Sequence, residues 1–232
     1  MEYTLKARLA PTALATPPLL ILSNALFNIQ ASQWLDSSTM TWLFGKGVAS
    51  LALVYFMMQA NRLIGLEIFQ RWISQDEMNF PTTRWLLADN IEMSAAQRES
   101  INQKIRQDFQ VALLPDSMGD APEVRRHNAD IVGRIRNYVG SPPKLLQFNI
   151  EYGFFRNLIG ASLPVLAAGL VNSYLYGEQM LPEWAYHLTF AYAIFAGLLV
   201  CLARPLIERL GAQYARVLFQ SYLETTKPAN QA

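Results

Sequence analysis

Apolar residues along this chain gather in four long runs, with the polar residues between them. Pro17 to Leu35 is 19 residues without an ionisable group, and Trp42 to Ala60 is 19 residues with one, Lys46. Leu158 to Gly177 is 20 residues with none, and Trp184 to Ala203 is 20 with only His187. A bilayer core about 30 Å thick takes about 20 helical residues. Each run therefore has the length of a transmembrane helix. The first is the most polar, because it carries Asn24, Asn28, Gln30 and Gln33. With Lys6 and Arg8 ahead of it, it also has the outline of a signal peptide. Its apolar centre is interrupted by Asn, however, and it lacks a clean small-x-small cleavage site. A retained helix is the expectation.

The stretch between the second and third runs is far too long for a connecting loop, and its pattern predicts helices. Asn61 to Ser74 continues the second run, and Phe80-Pro81-Thr82-Thr83 breaks it. Ser94-Ala95-Ala96-Gln97 is a capping box that opens a helix to about Gln110, with apolar positions at Ile101, Ile105 and Phe109. Asp120-Ala121-Pro122-Glu123 reads as a second capping box, opening a helix to Val139 that Gly140-Ser141-Pro142-Pro143 ends. From Lys144 no clear stop signal appears before Gly177, although Gly153, Gly160 and Pro164 are potential bends. Pro205 to Thr225 reads as an amphipathic helix, with Leu206, Leu210, Tyr214, Val217 and Leu218 as its apolar positions.

Composition sharpens the class. The chain of 232 residues is 52% hydrophobic and 16% charged, against roughly 25% charged in ordinary soluble domains. The net charge of +1 selects no partner. The distribution of the charges says more. With the N-terminus in the cytoplasm, the loops Asp36–Thr41 and Glu178–Glu183 face outward without a Lys or Arg. Of the 19 basic residues, all but Lys46 then fall inside, as the positive-inside rule requires. Trp34, Trp42, Tyr174, Tyr176 and Trp184 fall near the outer interface, where amphipathic rings prefer to sit. The expectation is an all-α polytopic protein of the bacterial inner membrane with four spans and both termini cytosolic. Its segments are 1–64 (spans one and two), 65–157 (a helical cytosolic domain), 158–204 (spans three and four) and 205–232 (a cytosolic amphipathic helix and tail).

No catalytic motif is present: no phosphate-binding glycine loop, no G-x-S-x-G and no H-E-x-x-H. The single cysteine, Cys201, precludes a disulfide within the chain, and His127 and His187 would lie on opposite sides of the membrane. The reading is therefore of a protein that is not an enzyme, with no cofactor and no metal. Three sets of residues carry other chemistry. Arg125, Arg126, His127, Arg134 and Arg136, with Lys104 and Arg106, have the donors to bind phosphate or another anion. The plainer reading of the same helix is a solvated face with Arg126, Asp130 and Arg134 paired at i, i+4 and i+8. Inside the spans, Asn24, Asn28 and Ser32 are candidates to line a pore between subunits, or else to bond neighbouring helices, as Asn172 and Ser173 would. At the membrane entry Arg62, Gly153, Arg156 and Asn157 would couple the cytosolic domain to the spans. Gly153 decides whether that join is stiff or hinged.

The segments "FPTTRWLLADN" and "LLQFNIEYGFFRNLIG", with the polar helical stretch between them, resemble a group of bacterial membrane proteins of phage-defence type. Among such proteins the chain resembles the channel subunit of Hailong-type pairs, and the resemblance covers roughly Phe80 to Gly177. It implies an oligomeric membrane effector, an ion channel or pore gated by a cytosolic nucleotide or short DNA oligomer. A homo-oligomer, with a tetramer as first expectation, would enclose the pore in the lipid bilayer. The alternative is a non-conducting scaffold or sensor that recruits a cytosolic partner protein, with the C-terminal amphipathic helix forming the interface.

Overall fold

The computed structural model describes residues 2–27, 54–74 and 77–225. Among them the protein is all-helical. The N-terminal path passes from Glu2–Thr4 through a π-helical stretch, Leu5–Leu9, into α1, Ala10–Phe27. Helix α2 covers 54–64 and continues as π-helix Gly65–Gln70 and a last turn, Arg71–Ser74. A short helix α3, Pro81–Arg84, precedes α4, Ala95–Phe109, and α5, Pro122–Val139. The long α6, Pro143–Gly177, is followed by α7, Glu183–Cys201, and α8, Ala203–Glu224.

Local chemistry explains several of these bounds. Ser94 caps α4, its hydroxyl accepting from Gln97 N at 3.2 Å, and Gln110 closes the helix in the left-handed region at φ 55°. Gly140, at φ 72°, ends α5 where a side chain would be strained. The box expected at Asp120 does not form. Ala121 is the N-cap of α5, and no side chain caps it. Asp120 instead binds Arg125 through both carboxylate oxygens, because a guanidinium fork matches a carboxylate better than a single backbone N–H does. Helix α6 runs without a break through Gly153 and Pro164.

The chain divides into two compact units, one of Met1–Gln70 with Gly153–Arg204 and the other of Arg71–Tyr152 with Pro205–Ala232. In the first unit the core is made of small residues, Ala15, Ala161 and Ala196, around Val165. Small side chains let helix backbones come close. The closest approach is at two glycines. A Cβ on Gly160 would lie 2.2 Å from Asn61 O and 2.7 Å from Gly65 N, and one on Gly65 would lie 2.7 Å from Arg156 O. Larger residues, Phe69, Leu158, Ile159 and Leu175, are buried in this unit as well, but those of α7 point outward. On α7, Ala185, Thr189 and Ala196 are buried, whereas Trp184, Phe190, Ile194, Phe195 and Leu198 are all at least half exposed.

Among the described residues two helices, α6 and α7, are long and apolar enough to cross a membrane. They differ in surroundings: 56% of the apolar window is buried in α6 and 17% in α7. The first expected run is described only to Phe27 and the second only from Val54.

The second unit is organised around a larger core. Trp85, Leu86, Ile101, Ile105, Ile131, Ile135 and Leu145 meet Ala215, Leu218, Phe219 and Tyr222 of α8. Residues 207, 211, 215, 218 and 222 recur at helical spacing, so one face of α8 is buried along its length. Its seat is the Phe80–Asn90 stretch. Pro81 packs against Gly211, where a Cβ would come within 2.8 Å of the ring, and Trp85 stacks on Phe219 at 6.4 Å. The 205–225 segment thus completes this core and does not stand as a separate amphipathic helix.

Candidate functional site

The basic residues of α5 do not converge. Val124, Asn128, Ile131, Val132 and Ile135 form the buried face of α5, which fixes where the charges go. Arg125 is held by Asp120, and this contact keeps the Asp120 carboxyl below the ordinary carboxylate range, against a smaller opposing effect of burial. Arg126 and Arg134 are exposed on the outer face with Asp130. His127 turns inward, its Nε2 donating to Ala112 O at 2.8 Å. Arg136 donates to Thr82 Oγ1 at 3.3 Å, and its guanidinium carbon lies 5.7 Å from the centre of the Tyr214 ring. Lys104 approaches Asp108 at 3.4 Å and lies over the rings of Tyr138 and Tyr222 at 5.6 and 5.3 Å, whereas Arg106 is exposed on α4. Of the seven expected anion donors, Arg126, Arg134 and Arg106 are the ones that face solvent.

The Arg125–Asp120 pair carries a pH prediction. Asp120 is lowered on folding, so its stabilising contribution is full above the ordinary carboxylate pKa. That contribution is lost as pH falls through the lowered value. Asp120→Asn should flatten the loss of unfolding midpoint seen on acidification below about pH 4. Thermal scans of the two proteins between pH 3 and 7 measure this.

A polar cluster that the sequence did not single out ties Lys104 to the C-terminal helix. Phe109, Tyr138 and Tyr222 contact one another, with ring centroids 5.6 to 6.1 Å apart, around the Lys104 ammonium. Burial, with Asp108 adding to it, keeps the Tyr222 phenol protonated well above its ordinary range. Cation–ring attraction of this kind strengthens when the partners are desolvated. The cluster holds the last turns of α8 in the second unit.

In the first unit three asparagines bond helix to helix, whereas Ser173, expected to do the same, donates to Gly169 O of its own helix at 2.8 Å. Asn172, fully buried, donates to Pro18 O and to Thr189 Oγ1, both at 3.1 Å, and so links α6 to α1 and α7. Asn157 donates to Ala7 O at 2.6 Å. Pro11 lies four residues after Ala7 and has no N–H, so this carbonyl lacks its α-helical donor. The Asn157 amide supplies one. Asn61 donates to Thr12 Oγ1 at 3.2 Å, and Thr12 in turn to Arg8 O at 2.9 Å. The sequence signal for this set was the pair of Pro11 with an Asn at the edge of an apolar run.

Among the other residues expected at a membrane entry, Arg156 donates to Gln70 Oε1 at 3.2 Å, and Arg62 is half-buried on α2. Gly153 is a site of close approach: a Cβ there would lie 2.9 Å from Tyr3 Oη and 3.1 Å from Ala7 Cβ. Of the pore candidates, Asn24 belongs to α1 but its side chain is outside the described set, and Asn28 and Ser32 lie outside the described residues. No group of three or more His, Cys, Asp or Glu suited to a metal occurs among the described residues. No family model, curated protein or solved structure matches the chain.

Proposed function

We propose that the chain is an oligomeric membrane effector of bacterial anti-phage defence, an ion channel or pore gated by a nucleotide or short oligonucleotide on the cytosolic side. The observation that carries the membrane part is α7. In water its exposed Trp184, Phe190, Ile194, Phe195 and Leu198 would form one long apolar stripe, which soluble proteins avoid. Acyl chains cover such a stripe at no cost, and the small residues of the same helix face the other helices, as in membrane bundles. The second unit is then the cytosolic sensor, and both termini are cytosolic in the inner membrane.

The gating part rests on helix continuity and on the resemblance of the sequence. Helix α6 supplies Leu145 to the core of the second unit and Asn157, Ala161 and Asn172 to the first. A ligand with different affinity for two arrangements of the sensor would shift the balance between them. The scaffold reading is less supported, because the apolar face of α8 that would recruit a partner is buried in the second unit. The test is ion flux in proteoliposomes, with nucleotides and short DNA oligomers added on the sensor side. Flux should rise with ligand and lose its ligand dependence in the Arg126→Glu, Arg134→Glu double variant. Flux that never responds to any such ligand, or a stoichiometric soluble partner without conductance, would overturn the proposal.

A further inference from the structure

Three side-chain atoms near the start of the first unit are buried without a hydrogen-bond partner: Arg8 Nε, Asn61 Oδ1 and Asn157 Oδ1. The two Asn residues are only 3% and 1% exposed. Their amides cannot be turned to relieve this. Asn157 Nδ2 faces a backbone carbonyl, which only accepts. Asn61 Nδ2 faces Thr12 Oγ1, whose hydrogen is already given to Arg8 O. Each amide is thus fixed with its nitrogen used and its oxygen left over.

The two amides are anchored side by side on the N-terminal helical path, Thr12 Oγ1 donating to the carbonyl next to Ala7 O. The anchors of the two amides, Ala7 O and Thr12 Oγ1, lie within about one and a half turns of the N-terminal helical path, with Arg8 between them. Helices α2 and α6, which carry Asn61 and Asn157, meet at the Gly65–Gly160 approach beside them. One unused donor and two unused acceptors are what a water molecule, with two of each, can satisfy together. An orphaned buried amide oxygen is costly, and two at one crossing more so.

We propose that the crossing of α1, α2 and α6 is an internal water site, in which ordered water bridges Asn61 Oδ1, Asn157 Oδ1 and Arg8 Nε. The helices here are joined through water as well as through direct bonds. Asn172 differs: its oxygen is also unpaired, but it lies about 22 Å farther along α6, away from the other two amides.

The test uses the full chain in detergent, comparing unfolding midpoints of Asn61→Leu, Asn157→Leu and the double variant. Leucine is close to asparagine in shape and removes the amide. With shared water, each single change should lower the midpoint by about 2–4 °C, and the double change should cost clearly less than the sum. Asn157→Leu combined with Asn172→Leu should be additive. Midpoints that are unchanged or raised in both single variants, or that add in the Asn61, Asn157 pair, would overturn the proposal. If either variant fails to fold, a water-resolving map of the unmodified protein in a lipid nanodisc decides. Density within hydrogen-bond distance of both Oδ1 atoms supports the site, and amide oxygens packed against carbon alone refute it.

Discussion

Gly160→Val is expected to prevent the first unit from assembling. The added Cβ would lie 2.2 Å from Asn61 O, 2.7 Å from Gly65 N and 3.0 Å from Gly65 Cα. All three are backbone atoms, so no side-chain rotation relieves the clash. The helices must separate, and the Asn157–Ala7 and Asn61–Thr12 bonds go with the contact. A cost of about 3 kcal/mol or more is expected, at the upper end of ordinary overpacking. Gly197→Ala is the control on the same unit. It meets nothing within 4 Å and should be neutral or slightly stabilising, because alanine favours the helix. Size-exclusion profiles and unfolding midpoints of the two purified variants measure the contrast. A monodisperse Gly160→Val protein with an unchanged midpoint would contradict this account of the crossing.

Phe219→Ala should cost about 3–5 kcal/mol, the usual range for a fully buried aromatic. Phe219 is 0% exposed and stacks on Trp85, itself only 4% exposed. Ending the chain after Gln213 should go further, because it removes Ala215, Leu218, Phe219 and Tyr222 from one core. The truncated protein should expose 71–152 to protease and shift Trp85 fluorescence to the red, while α6 and α7 stay protected in lipid. Full protease resistance of 71–152 in the truncated chain would show that the second unit does not need α8.

What the sequence revealed was mostly local. Ser94 with Gln97, Gly140, and the long run from Lys144 to Gly177 placed helix ends to within a residue or two, because caps and stops act over one turn. The partner of α8 was not legible. The apolar face expected at Leu206, Leu210, Tyr214, Val217 and Leu218 is only half-buried except at Leu218; the buried face is offset, through Ile207, Ala215, Leu218 and Tyr222, and its covering residues lie some 70 to 130 positions earlier. Asp120 misled because Asp120 to Glu123 fit a capping box, while the Arg125 guanidinium is the better donor to its carboxylate. The anion set was drawn from one helix by composition. Burial of Val124, Ile131 and Ile135 then turned its members to different neighbours. Asn172 was expected to bond neighbouring helices, and its amide donates to α1 and α7.

The second unit also constrains how the protein is made. Its core cannot close when residue 152 leaves the ribosome, because Ala215 to Tyr222 are still 63 to 70 residues away. At 5–20 residues per second that is a wait of about 3–14 s, during which α6 and the strongly apolar α7 emerge first. Trp85, Ile101 and Ile131 stay without their final cover for this interval. A mutation that slows the handling of α7 would therefore show first as aggregation of the 71–152 segment, in a part of the chain it does not alter.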